Sequence, residues 1–365
     1  MELHLVNGFL GSGKTTAIIA AARQSMQAGK TVGIVTNDKG QFQVDAAFFQ
    51  ANRIPTRQVT GGCFRCSFSE FEEKIAELQA AASPDAVFAE SVGSCVDLVD
   101  TIFGPLQRNH HLSVERTTYS VFADIRLFWR WLCSEPLPFS DAINYLFEKQ
   151  IEEGNLLVLN KADLLHSGRK QEVLAAARER FAQKTILLQN SLEQAGPLPW
   201  LAVLGRDATC ENHAGFSIDY RRYKSGEQEM AWYDQAFTLE AADPHSLKPA
   251  AVEMIGLFLA ALQRMNAFVG HVKFFVSNGG VGCKLSFTTA DFFEDARPSA
   301  WAEALPDGPG VSLSLVLNAR LAMDGAAFAQ IVQDIRDRMA LFPQIHVRAG
   351  PGTAVHPDMS LARPA

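Results

Sequence analysis

Positive charge is what this chain is short of. It sets 33 Lys and Arg against 40 Asp and Glu, a net charge of −7 at pH 7. A general nucleic-acid binder carries a basic surplus, so that class is set aside. Cysteine is scarce too. Six cysteines scattered over 365 residues do not make a disulfide framework and fit a reducing compartment. No uncharged apolar run approaches the length that crosses a bilayer, so no membrane partner is expected. The strand-like run from Glu2 to Asn7 starts at once and leaves no room ahead of it for a leader, which makes the cytoplasm the expected location.

What is present suffices for two packed domains: 47% of residues are hydrophobic and 20% charged. In the first half, short apolar runs alternate with amphipathic helical stretches. The strand candidates are Leu3 to Val6, Thr31 to Thr36, Ala86 to Ala89, Thr118 to Phe122, Leu156 to Leu159 and Thr185 to Leu188. Between them lie helical patterns such as Thr15 to Gln27, Ser69 to Ala82, Ile143 to Glu152 and Lys170 to Gln183. This repetition predicts an α/β fold with a doubly wound, mainly parallel sheet over residues 1–205. Residues 206–229 are polar and read as a linker. Residues 230–342 give a smaller α+β domain with helices on one face of an antiparallel sheet. Its strands are expected near Gln235 to Glu240, His271 to Val276, Gly282 to Thr288 and Val311 to Asn318. Residues 343–365, rich in Pro, Ala and Gly, read as a flexible tail.

The strongest local signal is Gly8-Phe9-Leu10-Gly11-Ser12-Gly13-Lys14-Thr15, followed by Thr16. It fits G-x-x-x-x-G-K-[ST] after a strand and at the start of a helix, the context a phosphate loop needs. Gly8, Gly11 and Gly13 let backbone N–H groups close around phosphate oxygens, and the helix points its positive end at them. Lys14 is expected to reach the β- and γ-phosphates and Thr15 to place a hydroxyl on Mg2+.

The run Leu156 to Leu159 ends in Asn160-Lys161-Ala162-Asp163, an N-K-x-D pattern at the strand edge where ligands of open α/β sheets bind. Asp163 can accept from the ring N–H and exocyclic amine of guanine. Adenine has no such donor pair, so a carboxylate there selects GTP and GDP. The stem of Lys161 can lie along the base, and Asn160 can tie neighbouring loops together. Ser191, after the next strand, can meet the base from the other side or be an ordinary loop serine. An ATP-dependent small-molecule kinase would share the phosphate loop but leaves Asn160 to Asp163 unexplained.

Between these motifs, Thr31 to Thr36 runs into Asn37-Asp38-Lys39-Gly40 and then Asp45. A carboxylate here, Asp38 or Asp45, can reach Mg2+ directly or through water; the alternative is a polar turn with a helix cap. Glu90 closes the next apolar run and Gly93 follows. Glu90 can orient an attacking water or hold the Mg2+ shell, and the Gly93 N–H can sense the γ-phosphate.

Thr60-Gly61-Gly62-Cys63-Phe64-Arg65-Cys66-Ser67 adds one C-x-x-C pair, a signal for metal binding or redox chemistry but not a four-ligand zinc site. The set Gly8 to Thr16, Asn37-Asp38-x-Gly40, Gly62-Cys63, Glu90-x-x-Gly93 and Asn160-Lys161-x-Asp163 resembles the CobW-like family of metallochaperone P-loop GTPases, relatives of the nickel-insertion GTPases of urease and hydrogenase maturation. That resemblance covers most of residues 1 to 192, while beyond it His271-Val272-Lys273 is the one suggestive stretch. It implies a GTPase that hydrolyses GTP to control delivery of a metal or corrinoid to a client metalloprotein or corrinoid enzyme, with a homodimer left open. It implies that Asp38 is an acidic switch residue and Glu90 a catalytic-site glutamate acting with Lys14. Cys63 and Cys66 match the outer cysteines of the family's C-x-C-C motif, as ligands for Zn2+, Co2+ or Ni2+.

The chain departs from that pattern at Arg65, which stands where the middle cysteine belongs. A guanidinium there is expected to lower the thiols' pKa values and to repel a divalent cation. Cys95, just past Gly93, can supply a third thiolate if the loops meet. The alternatives for the pair are two buried thiols or a redox couple, and the alternative for the whole chain is a metal-free regulatory GTPase switch acting on a client by contact. His110-His111 is the only adjacent histidine pair and reads as a surface loop. The aromatic run Leu127 to Trp131 reads as packing, and Arg221, Arg222 and Lys224 as a solvated linker.

Overall fold

The computed structural model describes residues 1–37, 54–60, 62–108, 112–193, 198–204, 216–265, 267–293, 298–308 and 310–355. Each of the six apolar runs of the first half is a strand: β1 (Glu2–Gly8), β2 (Val32–Asn37), then β4 (Ala86–Glu90), β5 (Arg116–Asp124), β6 (Leu156–Asn160) and β7 (Thr185–Leu188). The sequence pattern gave no sign of β3 (Thr56–Val59). It is four residues long, mostly polar, and sits at the sheet edge, where one covered face is enough. The strand order is β3-β2-β4-β1-β5-β6-β7, and every described pairing is parallel. The sheet therefore gathers the ends of β1, β2, β4, β5 and β6 at one edge. The residues standing there are Gly8, Asn37, Glu90, Asp124 and Asn160.

The longer helices are α1 (Lys14–Gln27), α2 (Phe68–Ala82), α3 (Ile125–Leu132), α4 (Asp141–Glu153), α5 (Ser167–Arg180), α6 (Tyr220–Gln228), α7 (Leu247–Arg264) and α8 (Gly325–Met339). α1 buries Ile18, Ile19, Ala21 and Ala22 against Val6, Ile34, Phe88, Phe122 and Trp200, which fixes the helix under the phosphate loop. The aromatic run is α3, and it packs as the sequence suggests. Phe128 is fully buried, and Trp131 stacks on Phe181 with centroids 6.0 Å apart.

The chain divides into two compact units, one running to Gly226 and the other beginning at Glu227. Part of the polar stretch read as a linker is helical: residues Tyr220 to Gly226 of α6 pack within the first unit, where a Cβ on Gly226 would lie 2.7 Å from Ala142 O. Arg222 lies over the Tyr145 ring at 4.4 Å.

The second unit is a five-stranded antiparallel sheet of β8 (Ala231–Ala241), β9 (Phe268–Asn278), β10 (Val281–Phe287), β11 (Ser312–Ala322) and β12 (Ile345–Val355), ordered β10-β9-β11-β8-β12. α7 and α8 bury Leu247, Met254, Ile255, Phe258, Phe328, Ile331 and Ile335 in its core. By length and composition the stretch Pro244–Arg264 could cross a membrane, but Met254, Ile255 and Phe258 face this core. The segment from Pro343, read as a flexible tail, instead carries β12 along β8. Its Gly and Pro content misled the reading: an edge strand needs hydrogen bonds on one side only, and the register shift between Ala349 and Gly352 takes up the glycines.

Candidate functional site

The phosphate loop follows β1. Gly8 (φ 136°), Gly11 (φ 75°) and Gly13 (φ 89°) all hold left-handed backbone. Two of them also lack room for any side chain. A Cβ on Gly8 would stand 2.0 Å from Phe122 O, and one on Gly13 would stand 2.3 Å from Asn160 Nδ2. The hydroxyl of buried Ser12 has no hydrogen-bond partner among the described residues. Lys14 opens α1 and donates through Nζ to Gly8 O at 2.6 Å and Phe9 O at 3.4 Å. Thr15 donates to Glu90 Oε1 at 2.9 Å, joining the hydroxyl and carboxylate assigned to Mg2+ chemistry. Thr16 lies in the first turn of α1. A glycine cradle, an ammonium, a hydroxyl and a buried hydroxyl in want of a partner fit a Mg2+-bound polyphosphate.

Asn160, at the end of β6, locks the N-K-x-D segment onto this loop. Its amide donates to Ser12 O at 2.8 Å, and its oxygen accepts from Ser191 Oγ at 2.8 Å and Ser191 N at 3.2 Å. Gln189 steadies Ser191 through a bond of 2.9 Å. Lys161 is in left-handed backbone (φ 60°), and Asp163 is exposed in the short helical turn Ala162–Leu164. Asp163 borders a cavity of about 330 Å3 shared with Ala162, Gln189, Asn190 and Leu198.

The sequence reading missed Asp124. This buried carboxylate ends β5 and pairs with Lys161 Nζ at 3.0 Å and with Arg126 Nη2 at 2.7 Å. Burial pushes its carboxyl up, but the two cations outweigh that and hold it at about 2. The strand-end rule that picked out Glu90 and Asn160 applies equally to Asp124.

Gly93 packs on the phosphate loop: a Cβ there would lie 2.7 Å from Leu10 Cδ2 and 3.0 Å from Leu10 N. The chain beyond it is held by side chains that the sequence did not flag. Cys95 O accepts from Asn7 Nδ2 at 3.0 Å and from Gln150 Nε2 at 2.8 Å. Glu153, at the end of α4, accepts from Asp97 N at 2.9 Å and Val99 N at 2.8 Å. Burial is the main reason its carboxyl rises to about 7, against the lowering effect of these N–H bonds. Asp97 itself accepts from the Tyr220 hydroxyl. Such residues have no motif, since their partners come from distant elements.

Cys63 Sγ and Cys66 Sγ are 3.1 Å apart, and no disulfide joins them. Asn37, at the end of β2, holds this turn by donating to Gly62 O at 2.6 Å and Val59 O at 3.1 Å. Cys95 lies near enough to Cys63 to act on its thiol. The expected pull of Arg65 on the thiols is present but does not decide the outcome. For Cys63, the bond with Cys66 favours the thiolate, but nearby Cys95 and burial win and push the thiol up to about 12. Cys66 is raised as well, by its bond to Cys63 and by burial. Arg65 does pull both thiols down, though too weakly to prevail. Its guanidinium lies over Tyr223 at 4.9 Å and Tyr220 at 5.5 Å. Among the described residues, no three His, Cys, Asp or Glu groups are already set around one ion position. Asp38, Asp45, His110 and His111 lie outside the described residues.

A family model described as CobW/HypB/UreG, nucleotide-binding domain, matches residues 2–189. The zinc chaperone CobW of Pseudomonas aeruginosa is 25% identical over 238 residues, covering 58% of this chain and 62% of that protein. The zinc chaperone YeiR of Escherichia coli is 24% identical over 168 residues, 44% of this chain and 46% of that protein. The chain thus spans less than two thirds of the length of these curated relatives. Among solved structures, the hydrogenase maturation factor HypB of Archaeoglobus fulgidus matches with TM-score 0.40 and 15% identity, over 56% of this chain and 89% of that one. The Zn(II)-bound YjiA GTPase of E. coli matches with TM-score 0.37 and 11% identity, over 91% and 98%.

Proposed function

The chain belongs to the CobW/HypB/UreG nucleotide-binding family, and from that premise we propose that it is a cytoplasmic GTPase that binds Mg2+ and GTP and uses hydrolysis to govern delivery of a metal ion to a client protein. The observation that carries the GTP reading is the Asn160 bridge from Ser12 to Ser191, which sets the N-K-x-D segment against the phosphate loop.

Each residue has a task in this reading. Backbone N–H groups of Gly11 to Lys14 cradle the β-phosphate, and Lys14 swings from the Gly8 and Phe9 carbonyls to the β- and γ-phosphates. Bound Mg2+ would draw charge from the phosphates; Thr15, with Asp38 or Asp45, would hold it. Glu90 orients the attacking water, and the Gly93 N–H meets the γ-phosphate. Asp163 selects guanine. Equal turnover of ATP and GTP, or turnover surviving in Lys14→Ala, would overturn this assignment. The expected result is slow GTP hydrolysis that vanishes in that variant.

The metal half rests on Cys63 and Cys66 and on two relatives that bear the name zinc chaperone. Zn2+ is the leading cargo, with Co2+ and Ni2+ as alternatives from the sequence. One observation favours a second reading, a metal-free switch acting on a client such as a corrinoid enzyme: both thiols are held protonated, with no ready-made ion position among the described residues. Titrating each metal against wild type and Cys63→Ala/Cys66→Ala separates the two. Equal affinity in both proteins leaves the switch.

A further inference from the structure

We infer that Cys63 and Cys66 are the site of a reversible modification, an intramolecular disulfide formed by exchange with a small disulfide such as oxidised glutathione. The inference goes beyond the metal reading above and does not need it.

The two sulfurs stand 3.1 Å apart and are not joined. Closing by about 1 Å brings them to the S–S bond length of about 2.05 Å. The turn that carries them is fixed from several sides. Ser67 N donates to Cys63 O at 2.9 Å, a helical bond that puts residues three apart on one side of the turn. Gly62 lies against the same turn, where a Cβ would stand 3.2 Å from Cys66 Cβ. Asn37 holds Gly62 O, and Phe64, fully buried, packs on Phe71 with centroids 4.4 Å apart. The fold thus brings the two thiols together before any reaction, which makes closure of the ring effectively intramolecular.

The number of groups favours a disulfide as well. A metal ion needs three or four ligands, and among the described residues no three His, Cys, Asp or Glu groups are placed to hold one. A disulfide needs two sulfurs and nothing else.

Access sets the order of events. Cys66 is exposed and Cys63 is buried, so Cys66 meets the small disulfide first. Its sulfur gives up its proton and bonds to one glutathione sulfur as the glutathione S–S bond breaks, and the departing glutathione takes a proton. Cys63 Sγ then attacks Cys66 Sγ. The mixed disulfide breaks, and the second glutathione leaves with the proton that Cys63 gives up. Two electrons pass from the protein to glutathione, and each glutathione ends as a thiol. Both protein thiols are held protonated, so the first attack is slow, unlike that of oxidoreductase pairs, which keep a thiolate at neutral pH. The pair registers sustained oxidation and passes over brief pulses. Transient, sensing disulfides are the kind that glutathione-buffered compartments contain. Once the bond forms, neither sulfur is left as a thiolate for a metal ion.

The test incubates the full-length, metal-free chain with oxidised glutathione, alkylates the remaining thiols, and reads intact mass and peptide maps. Wild type should lose two hydrogens, with the bond mapped between Cys63 and Cys66, and should regain them in excess reduced glutathione. Cys63→Ser should stop at the mixed disulfide, one glutathione heavier at Cys66. Cys66→Ser should gain neither a bond nor an adduct at Cys63. Cys133→Ala should behave as wild type. Thermal melts check that the variants fold, and the wild-type map decides the matter if they do not. Free thiols at Cys63 and Cys66 after prolonged oxidation, a bond only between another pair, or an adduct on Cys66 that never closes overturns the proposal. A bond that reduced glutathione leaves intact overturns its reversibility. Zn2+ titration keeps the two readings apart. A reduced chain that binds Zn2+ no better than Cys63→Ala/Cys66→Ala, yet forms the bond, removes the metal reading alone. A reduced chain that binds Zn2+ and never forms the bond removes the disulfide alone.

Discussion

Asn160 donates its side-chain amide to the carbonyl of Ser12 at 2.8 Å across 148 positions of sequence. Its other end takes both the hydroxyl and the N–H of Ser191. The glycine-rich loop and the N-K-x-D segment are therefore one hydrogen-bonded body. Asn160→Ala should strand buried partners on both sides and cost about 1–3 kcal/mol of stability. It should also weaken GTP and GDP by the same factor, read by titration with a fluorescent nucleotide. Loss confined to GTP would contradict this.

Asp124 holds Lys161 and Arg126 together from a buried position. Asp124→Ala should strip Arg126 and Lys161 of their shared buried carboxylate and lower stability by about 3–5 kcal/mol in denaturant unfolding. Lys161→Ala should cost far less, because Arg126 still partners Asp124. Both should loosen guanine binding. The low position of the Asp124 carboxyl, about 2, adds stability that is present above the unfolded carboxylate range and is lost as pH falls through about 2.

Glu153 runs the other way. Its carboxyl titrates at about 7 in the folded chain, above its unfolded value, because burial disfavours the charge. Its contribution is fully present below the unfolded value and is lost as pH rises through about 7. Glu153→Gln removes this titration but keeps one acceptor for Asp97 or Val99. The melting temperature of the variant relative to wild type should therefore be higher at pH 8 than at pH 5. Parallel profiles from pH 5 to 8 would show that Glu153 does not titrate there.

β12 covers the outer edge of β8 from Ile345 to Val355. Ending the chain at Phe342 should unpair that edge, lower the melting temperature of the second unit, and promote self-association through the bared strand. Light scattering and thermal unfolding report both effects.

Much of the first unit was legible because strands buried on both faces are written as short apolar runs, and because the first residues past each run stand at one sheet edge. Glu90 and Asn160 were found that way, and Gly8 by the phosphate-loop motif. β3 escaped because its Thr-Arg-Gln-Val is polar, and β12 because Gly and Pro resemble a loose tail when the partner strand is unknown. Asn7, Gln150 and Glu153 act on backbone atoms of a distant loop, and no local spacing encodes such a bond. That Cys95 comes near Cys63 reflects two loops ending at the same edge, which the sequence offered only as a condition.

Tyr220 to Gly226 belong to the first unit, Tyr220 through its hold on Asp97 and both tyrosine rings through Arg65. That places a seam for exchange of parts. A transplant or gene fusion that cuts the chain near residue 205 would carry off the Tyr220 and Tyr223 rings and leave Arg65 and Asp97 without their clasp. A cut after Gly226 would keep it.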